Sequence, residues 1–449
     1  MNLALTWAQA AKAMGGKLSR GEGEEPFNDF VTDSRLPAKG TTFLTLEGKN
    51  HDAHKFLPDL AKDGLRGAVI REGKLDLAAG IPLVIEAPDT LVALQNLSSF
   101  HRDRFKIPVA AVTGSNGKSS TKEMLKSIFS KKGNTCANKG NLNNQYGLPF
   151  SLLELGPEHE YAIFELGASR KGDIQEIARL AKPHVAVITN VSAAHLEFFG
   201  DLETVYQTKI EIAGSLPEDG TLVYNVDDPL LCRLEKSWKG KSITFGCSPK
   251  ARMRVMEGKK NLVLEYEGKK HEIVFPAPGR HNRLNAAGAA AAALACGLDW
   301  NAISAGLACY TPLPGRLQLE KRGPSQVIFD AYNSNPASAK AALDTLASSG
   351  GGPLVAVLGD MKELGAHSEK YHRELGAYAA GLKLNKIFMA GPEIKPAYEA
   401  ALEKGCTNAV YAEDWRQWLP QLKAMTGQGG TYLLKASRAM GFEEILKQL

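Results

Sequence analysis

The chain has 449 residues, of which 44% are hydrophobic, and a formal net charge of +5. That is apolar material for about three domains of ordinary size, and the small positive balance fits anionic small-molecule substrates. No apolar run reaches the ~18 residues of a membrane span. No dense Lys/Arg block points to nucleic acid. The six cysteines (136, 232, 247, 296, 309 and 406) are scattered without a C-x-x-C pair, which suits a reducing cytoplasm and argues against a zinc site or disulfide framework. The N-terminal MNLALTWAQAAKAMGG has no basic leader, and Lys12 interrupts its apolar stretch. It reads as a first helix capped by Thr6 and not as a secretory signal.

Residues 1–85 are expected to form a first α/β domain, with short strands over Thr42–Leu46 and Ala68–Ile70 and a helix around His54–Lys62. Within it Ser34 and Arg35, taken alone, read as a solvated surface turn. A second domain, 86–314, opens with a helix over Asp89–Phe105 and a buried strand over Val109–Val112. Gly114, Asn116 and Gly117 then supply the small or left-handed residues of a tight turn. Lys118, Ser119, Ser120 and Thr121 lead into a helix over Lys122–Lys131. Strand, glycine loop, Gly-Lys-Ser and helix is the arrangement in which backbone N–H groups converge on a phosphate. Lys118 would reach the terminal phosphates and the Ser119 hydroxyl would bind Mg²⁺. Only Ser115 and Asn116 separate Gly114 from Gly117, so this loop is shorter than the common one.

Farther on, NKGNLNNQYGLPFSLLEL (138–155) places Asn141 and Asn143 in a glycine- and asparagine-rich loop suited to a ligand, with a helix from Pro149. The strand from Tyr161 ends in Glu165, a carboxylate that either sits beside the phosphate loop and holds Mg²⁺ or faces solvent. The apolar Val185–Asn190 is another strand, and His195 lies just past it. A lone histidine there is more often structural. Lys209 falls on an expected helix beside apolar Ile210, Ile212 and Ala213. A solvated lysine is the usual outcome, whereas burial would lower its pKa and open its amine to CO₂. Leu222–Asn225 is a further strand, 241–276 holds short β segments, and 278–297 is an alanine-rich helix entered through His281, Asn282 and Asn285.

Residues 315–449 alternate strand and helix: strands over Val327–Phe329, Leu354–Leu358, Lys386–Met389, Ala409–Tyr411 and Tyr432–Leu434, helices over Pro336–Ser348 and Lys370–Gly381. This predicts a third, Rossmann-like sheet, without the G-x-G-x-x-G of a dinucleotide site. Asp330, Asn333 and Asn335 follow its first strand, Asp360 its second, and Lys435, Ser437 and Arg438 its last. Singly each reads as a cap or turn; together they form one mouth at the strand ends.

TGSNGKSS resembles the compact TGTNGKTT or TGSNGKTT loop of the Mur ligase superfamily, with Ser119-Ser120 where Thr-Thr is usual. The resemblance covers nearly the whole chain. It includes Asp33-Ser34-Arg35 through His51–Phe56 (with Asp52-Ala53-His54 for Asp-Gly-His), Asn190, Ala194-His195-Leu196 and Lys209. It continues through the His281-Asn282-x-x-Asn285 entry, LPGR with Arg316, DAYNSNPAS, VLGDMKELG and KASR, where Ala436 replaces a usual Gly. It implies an α/β protein of three domains: 1–85 binding a UDP-sugar-peptide, 86–314 a P-loop ATPase with a parallel-rich sheet, and 315–449 binding a dipeptide.

The same resemblance implies residue roles. Lys118, Glu165, His195, Lys209 and Arg316 are catalytic, with Ser119, Glu165 and His195 around the metal. Gly114, Asn116, Gly117, Lys118, Ser119, Ser120 and Arg316 face ATP phosphates, His281, Asn282 and Asn285 the adenine, and Asp330 the ribose. Amide side chains can read a ring nitrogen and an exocyclic amine of adenine together. Substrate contacts fall on Ser34, Arg35, His54, Asn141, Asn143, Asn333, Asn335, Lys435, Ser437 and Arg438. Several members carry a carbamylated lysine at the position of Lys209. The C-terminal motifs point to the branch that joins D-alanyl-D-alanine to UDP-N-acetylmuramoyl-tripeptide through an acyl phosphate. ATP and Mg²⁺ are the expected cofactors, and the expected enzyme is a cytoplasmic monomer without nucleic-acid or membrane partners. Other amino-acid-adding members remain open. So does folylpolyglutamate synthase, which shares the last two domains but lacks the 33–56 segment. A P-loop switch or motor would need a guanine-reading or DNA-tracking element, and none is evident.

Overall fold

The computed structural model describes residues 3–36, 38–48, 51–258, 261–350 and 352–449. It falls into two compact units, one of residues 1–109, 134–166 and 176–182, the other of 110–133, 167–175 and 183–449.

In the first unit the helix Trp7–Met14 starts at a capping box between Thr6 and Gln9 and stops at Gly15, which takes the left-handed conformation (φ 71°). Behind it lies a five-stranded sheet in the order Lys17–Arg20, Leu83–Ala87, Gly67–Arg71, Thr42–Leu44, Phe30–Val31. The first pair is antiparallel and the rest parallel. The inner strands are apolar on both faces because both faces are covered. Trp7, Phe27, Phe30 and the helix Thr90–Asp103 pack on one side; Phe43, Leu57 and Ile81 pack on the other. A Cβ on Gly67 would lie 2.2 Å from the Trp7 ring, so glycine lets the indole lie on the strand. Leu83–Ala87 runs through residue 85, where the first domain was expected to end; it pairs with Gly67–Arg71 and so completes this sheet. Separately, Thr135–Ala137 pairs in parallel with Tyr161–Glu165.

In the second unit the strand Val109–Thr113 (from its second residue on), Val185–Ile188, Thr221–Asn225, Lys241–Gly246 and Met253–Met256 run parallel, followed by antiparallel Leu262–Tyr266 and Lys269–Ile273. The helix Lys118–Phe129 packs against the alanine-rich Arg280–Ala295 and against Trp300–Ala308. A Cβ on Gly306 would meet the Ile128 Cα at 2.4 Å, so the last contact is backbone on backbone. A further sheet runs Gln318–Arg322, Ser325–Asp330, Gly430–Lys435, Leu354–Gly359, Lys386–Ala390, Ala409–Ala412, parallel except for its first pair. The edge strand QLEKR was not anticipated: it is polar, and its residues alternate between half-buried and exposed. Parallel pairing brings the ends of the strands at Asp330, Lys435 and Gly359 side by side. Among the described residues no helix is long and apolar enough to cross a membrane.

Candidate functional site

The phosphate loop is held by glycines that nothing larger could replace. A Cβ on Gly114 (φ 143°) would fall 1.9 Å from the Thr189 hydroxyl, and one on Gly117 (φ 80°) 2.3 Å from the Asn285 Oδ1. Left-handed Gly117 also turns the chain straight into the helix, which begins at Lys118 and not at Lys122 as the sequence suggested. No side chain caps that helix, so its first turn carries N–H groups suited to an anion. The loop is braced from the next strand end. Asn190 Oδ1 accepts from the Asn116 N–H (3.0 Å), while Asn190 Nδ2 and the Thr189 hydroxyl donate to the Asn116 carbonyl. Lys118 Nζ folds over the loop onto the Gly114 carbonyl at 2.8 Å. Ser119 and Ser120 are buried, and the Tyr310 hydroxyl, pushed up to about 12 by burial, bonds Ser120.

Asn335, expected on the dipeptide, joins this loop instead. Its amide and that of Asn116 exchange two hydrogen bonds (2.7 and 3.2 Å), and its Oδ1 caps the helix Pro336–Ala347. At the entry of Arg280–Ala295, Asn282 Nδ2 donates to the Pro278 carbonyl and Asn285 packs on Gly117. Burial pushes the His281 imidazole pKa down, against the opposing charge of Asp330.

His195 sits in a left-handed turn (φ 56°), with Nδ1 2.5 Å from Glu363 Oε2. Lys209, near the end of the helix Leu202–Ile210, is only 2% exposed and lies 5.5 Å from the Phe199 ring centroid. Burial and the charge of Lys118 lower its pKa to about 7, against the pull of Glu211 and Asp173. The bland expectation of a solvated lysine is thereby overturned.

The Arg316 guanidinium stacks 4.2 Å from the Tyr332 ring centroid, and Arg438 lies 5.3 Å from the same ring. The expected mouth at the strand ends exists, but two of its expected substrate groups are turned inward. Lys435 is 2% exposed, pairs with Asp330 Oδ2 at 2.7 Å and donates to the Asn333 carbonyl. The Ser437 hydroxyl accepts from the Lys362 N–H at 2.9 Å. Both tie strand ends together, because a buried ammonium or hydroxyl must be satisfied locally. Asn333 is exposed, and Arg438 is exposed just past the last strand. Asp330 Oδ1 also accepts from the Leu317 N–H (3.1 Å). Replacing Lys435 with Met strands the Asp330 carboxylate without its partner, so we expect a loss of about 3–5 kcal/mol in urea unfolding. An unchanged midpoint would show that this ion pair is not structural.

In the first unit, His54 is fully buried, and both ring nitrogens are engaged. Nδ1 lies 2.6 Å from Asp52 Oδ1, and Nε2 accepts from the Arg71 N–H. It is therefore a structural histidine and not the substrate contact that was expected. Its neighbours Glu47 and Asp52 could form a metal cluster with it, yet they are already paired with Arg71 and Lys74. Arg35 folds back on Asp33 in a bidentate pair (2.8 and 2.7 Å) with an 86% exposed side chain, and the guanidinium draws the Asp33 pKa down to about 2. Ser34 lies between them in this partly exposed turn. Glu165 is buried at its strand end. The Asn143 amide donates to Glu165 Oε1 (2.9 Å), and Asn138 grips the Glu165 backbone on both sides. Asn143 thus positions the carboxylate, while Asn141 stays exposed in the loop.

Asn138, Tyr310, Tyr332, Ser334 and Glu363 were missed as site residues. Ser334 Oγ is buried without a hydrogen-bond partner among the described residues. Tyr332, Ser334 and Glu363 lie inside motifs that the sequence singles out, but the partners of Tyr332 and Glu363 are remote in the chain.

This combination of P-loop, buried lysine and arginine-bearing third sheet defines a class. Residues 112–293 match the Mur ligase middle domain and 315–438 the Mur ligase glutamate ligase domain. The chain belongs to the Mur ligase family and is an ATP-dependent ligase. It is similar to the UDP-N-acetylmuramoyl-tripeptide–D-alanyl-D-alanine ligases of Escherichia coli (strain K12), at 35% identity over 100% of this chain and 98% of that protein, and of Synechocystis, at 34% over 94% and 92%. Crystal structure I of MurF from Acinetobacter baumannii superposes with a TM-score of 0.90 at 32% identity, covering 99% of this chain and 98% of that one. MurF from Thermotoga maritima in complex with ADP gives 0.83 at 26%, covering 93% and 96%.

Proposed function

We propose that this ligase joins D-alanyl-D-alanine to UDP-N-acetylmuramoyl-tripeptide, the reaction named for its relatives, and so serves peptidoglycan precursor synthesis. The observation that carries the reading is the braced P-loop with Arg316 and the strand-end mouth of the third sheet in the same compact unit. A carboxylate is a poor electrophile, so it is first activated. One of its oxygens attacks the γ-phosphorus of ATP and the bond to ADP breaks. The dipeptide amine then attacks the carbonyl carbon, the acyl C–O bond breaks, inorganic phosphate leaves, and the amine loses its proton. Positioning and charge stabilisation carry most of the catalysis in phosphoryl transfer.

The loop N–H groups and Lys118 hold the transferring phosphoryl group, and Arg316 adds charge from the third sheet. His281, Asn282 and Asn285 lie toward the base, and Asp330 toward the ribose. Ser119, Glu165 and His195 would hold Mg²⁺, the hydroxyl and carboxylate supplying hard oxygen donors. When bound, Mg²⁺ neutralises charge on the phosphates. The dipeptide lies by Asn333 and Arg438, and the UDP-sugar-peptide by the 33–56 segment and Asn141. The three domains divide near residues 85 and 314, the first closing with the strand Leu83–Ala87, and the enzyme works as a cytoplasmic monomer. The test labels the tripeptide carboxylate with heavy oxygen. One label is expected in the released phosphate; its absence would rule out the acyl phosphate.

A further inference from the structure

The sharpest feature outside this account is the junction between the loop after Val185–Ile188 and the loop after Leu354–Gly359. His195 (φ 56°) and Glu363 (φ 64°) are both non-glycine residues in the left-handed region, a conformation that persists only where the surroundings enforce it. Each is held by buried neighbours, Ala194 and Leu196 on one side, Met361 and Leu364 on the other. The two loops meet at three points. His195 Nδ1 lies 2.5 Å from Glu363 Oε2. The Glu197 N–H donates to the Glu363 carbonyl at 3.1 Å. A Cβ on Gly365 would stand 3.2 Å from the Glu197 Cα, so the loops touch backbone to backbone. Lys362 does not compete for Glu363, because its ammonium is held by Asp360 and Glu393 at 2.8 Å each.

We propose that Glu363 is a positioning residue that sets the tautomer and ring orientation of His195 and makes that orientation depend on the docking of the third sheet's loop. A carboxylate on Nδ1 selects the tautomer with its proton there and leaves the Nε2 lone pair as the acceptor. The His195 loop continues from Thr189 and Asn190, which brace the P-loop. Docking of residues 363–365 is thereby relayed to the phosphate site by a ring that turns into place only when that loop is seated. As a half-exposed contact it adds little to stability, so its effect falls on orientation. The inference rests on the ligase reading above for the use made of His195, but not for the docking itself.

The test uses the full chain with Glu363→Asn, Glu363→Gln and Gly365→Ala. Asn tolerates the left-handed backbone but is too short to reach Nδ1; Gln keeps the reach and an accepting oxygen. For Glu363→Asn we expect kcat to fall about 10- to 100-fold, the usual effect of losing a partner that orients a functional histidine, with the KM for ATP nearly unchanged. Glu363→Gln should recover most of it. In ligand-free protein, hydrogen exchange at the Glu197 amide should speed up in Glu363→Asn and Gly365→Ala and not in Glu363→Gln. Wild-type kcat in Glu363→Asn, a rise in KM alone, or unchanged exchange would each overturn the proposal. Failure of the wild type to form amide from ATP, UDP-N-acetylmuramoyl-tripeptide and D-alanyl-D-alanine would instead sink the ligase reading, and the exchange experiment would still judge the docking.

Discussion

Replacing Arg316 with Ala should lower turnover by about 10³-fold or more and leave ATP binding within a few-fold, the pattern of an arginine that acts on charge developing during transfer. The side chain is preorganised. Gly315 (φ 69°) bends the chain, its carbonyl accepts from the Tyr332 N–H at 3.1 Å, and the guanidinium carbon lies over the Tyr332 ring, 4.2 Å from its centroid. It also stands close enough to Tyr310 to oppose in part the rise that burial imposes on that hydroxyl's pKa, and Tyr310 bonds Ser120 of the phosphate loop. A charge placed at the loop from the third sheet matters most when the phosphoryl group is between donor and acceptor. Arg316→Lys should rescue little, since an ammonium lacks the planar face that stacks on tyrosine. Single-turnover rates and nucleotide titration separate the two effects. Equal loss in both would show that Arg316 merely binds ATP.

Replacing Lys209 with Ala should lower kcat by about 10²- to 10³-fold, the size of losing one charge-stabilising group, and short carboxylic acids should restore part of it. With its pKa lowered to about 7, the amine becomes increasingly neutral as pH rises through that value. A neutral amine adds to CO₂, forming an N–C bond and releasing one proton, and the product is a carbamate anion. An anion there would relieve the repulsion that Lys118 imposes on the ammonium form. Activity of wild-type enzyme stripped of CO₂ should therefore recover faster on re-addition at a pH one unit above that value than one unit below. Undiminished activity in Lys209→Ala removes any essential role. Loss that no acid repairs leaves a plain cation as the better account.

Much of this chain can be read locally. The P-loop, its strand and its helix are contiguous, and glycine, lysine and serine at short spacing carry their chemistry wherever the segment folds. The apolar runs of the parallel sheets announce themselves in the same way, as does the Thr6 cap. The roles of the polar strand-end residues are of another kind. The resemblance makes His54, Asn335, Lys435 and Ser437 ligand contacts, yet three-dimensional pairing joins the first to Asp52 and Arg71, the second to Asn116, the third to Asp330 and the last to Lys362. Lys209 moves the opposite way, from an ordinary helical lysine to a buried one. Asn116 and Asn335 are 219 residues apart, and His195 and Glu363 are 168 apart. No local pattern encodes such pairs. Motif and periodicity determined the elements and the phosphate chemistry because these depend on neighbours within a few residues. The tertiary structure decided which polar groups are taken up by partners within the protein, because strand order sets which ends meet, and a buried donor, acceptor or charge must be satisfied by whatever that order brings beside it.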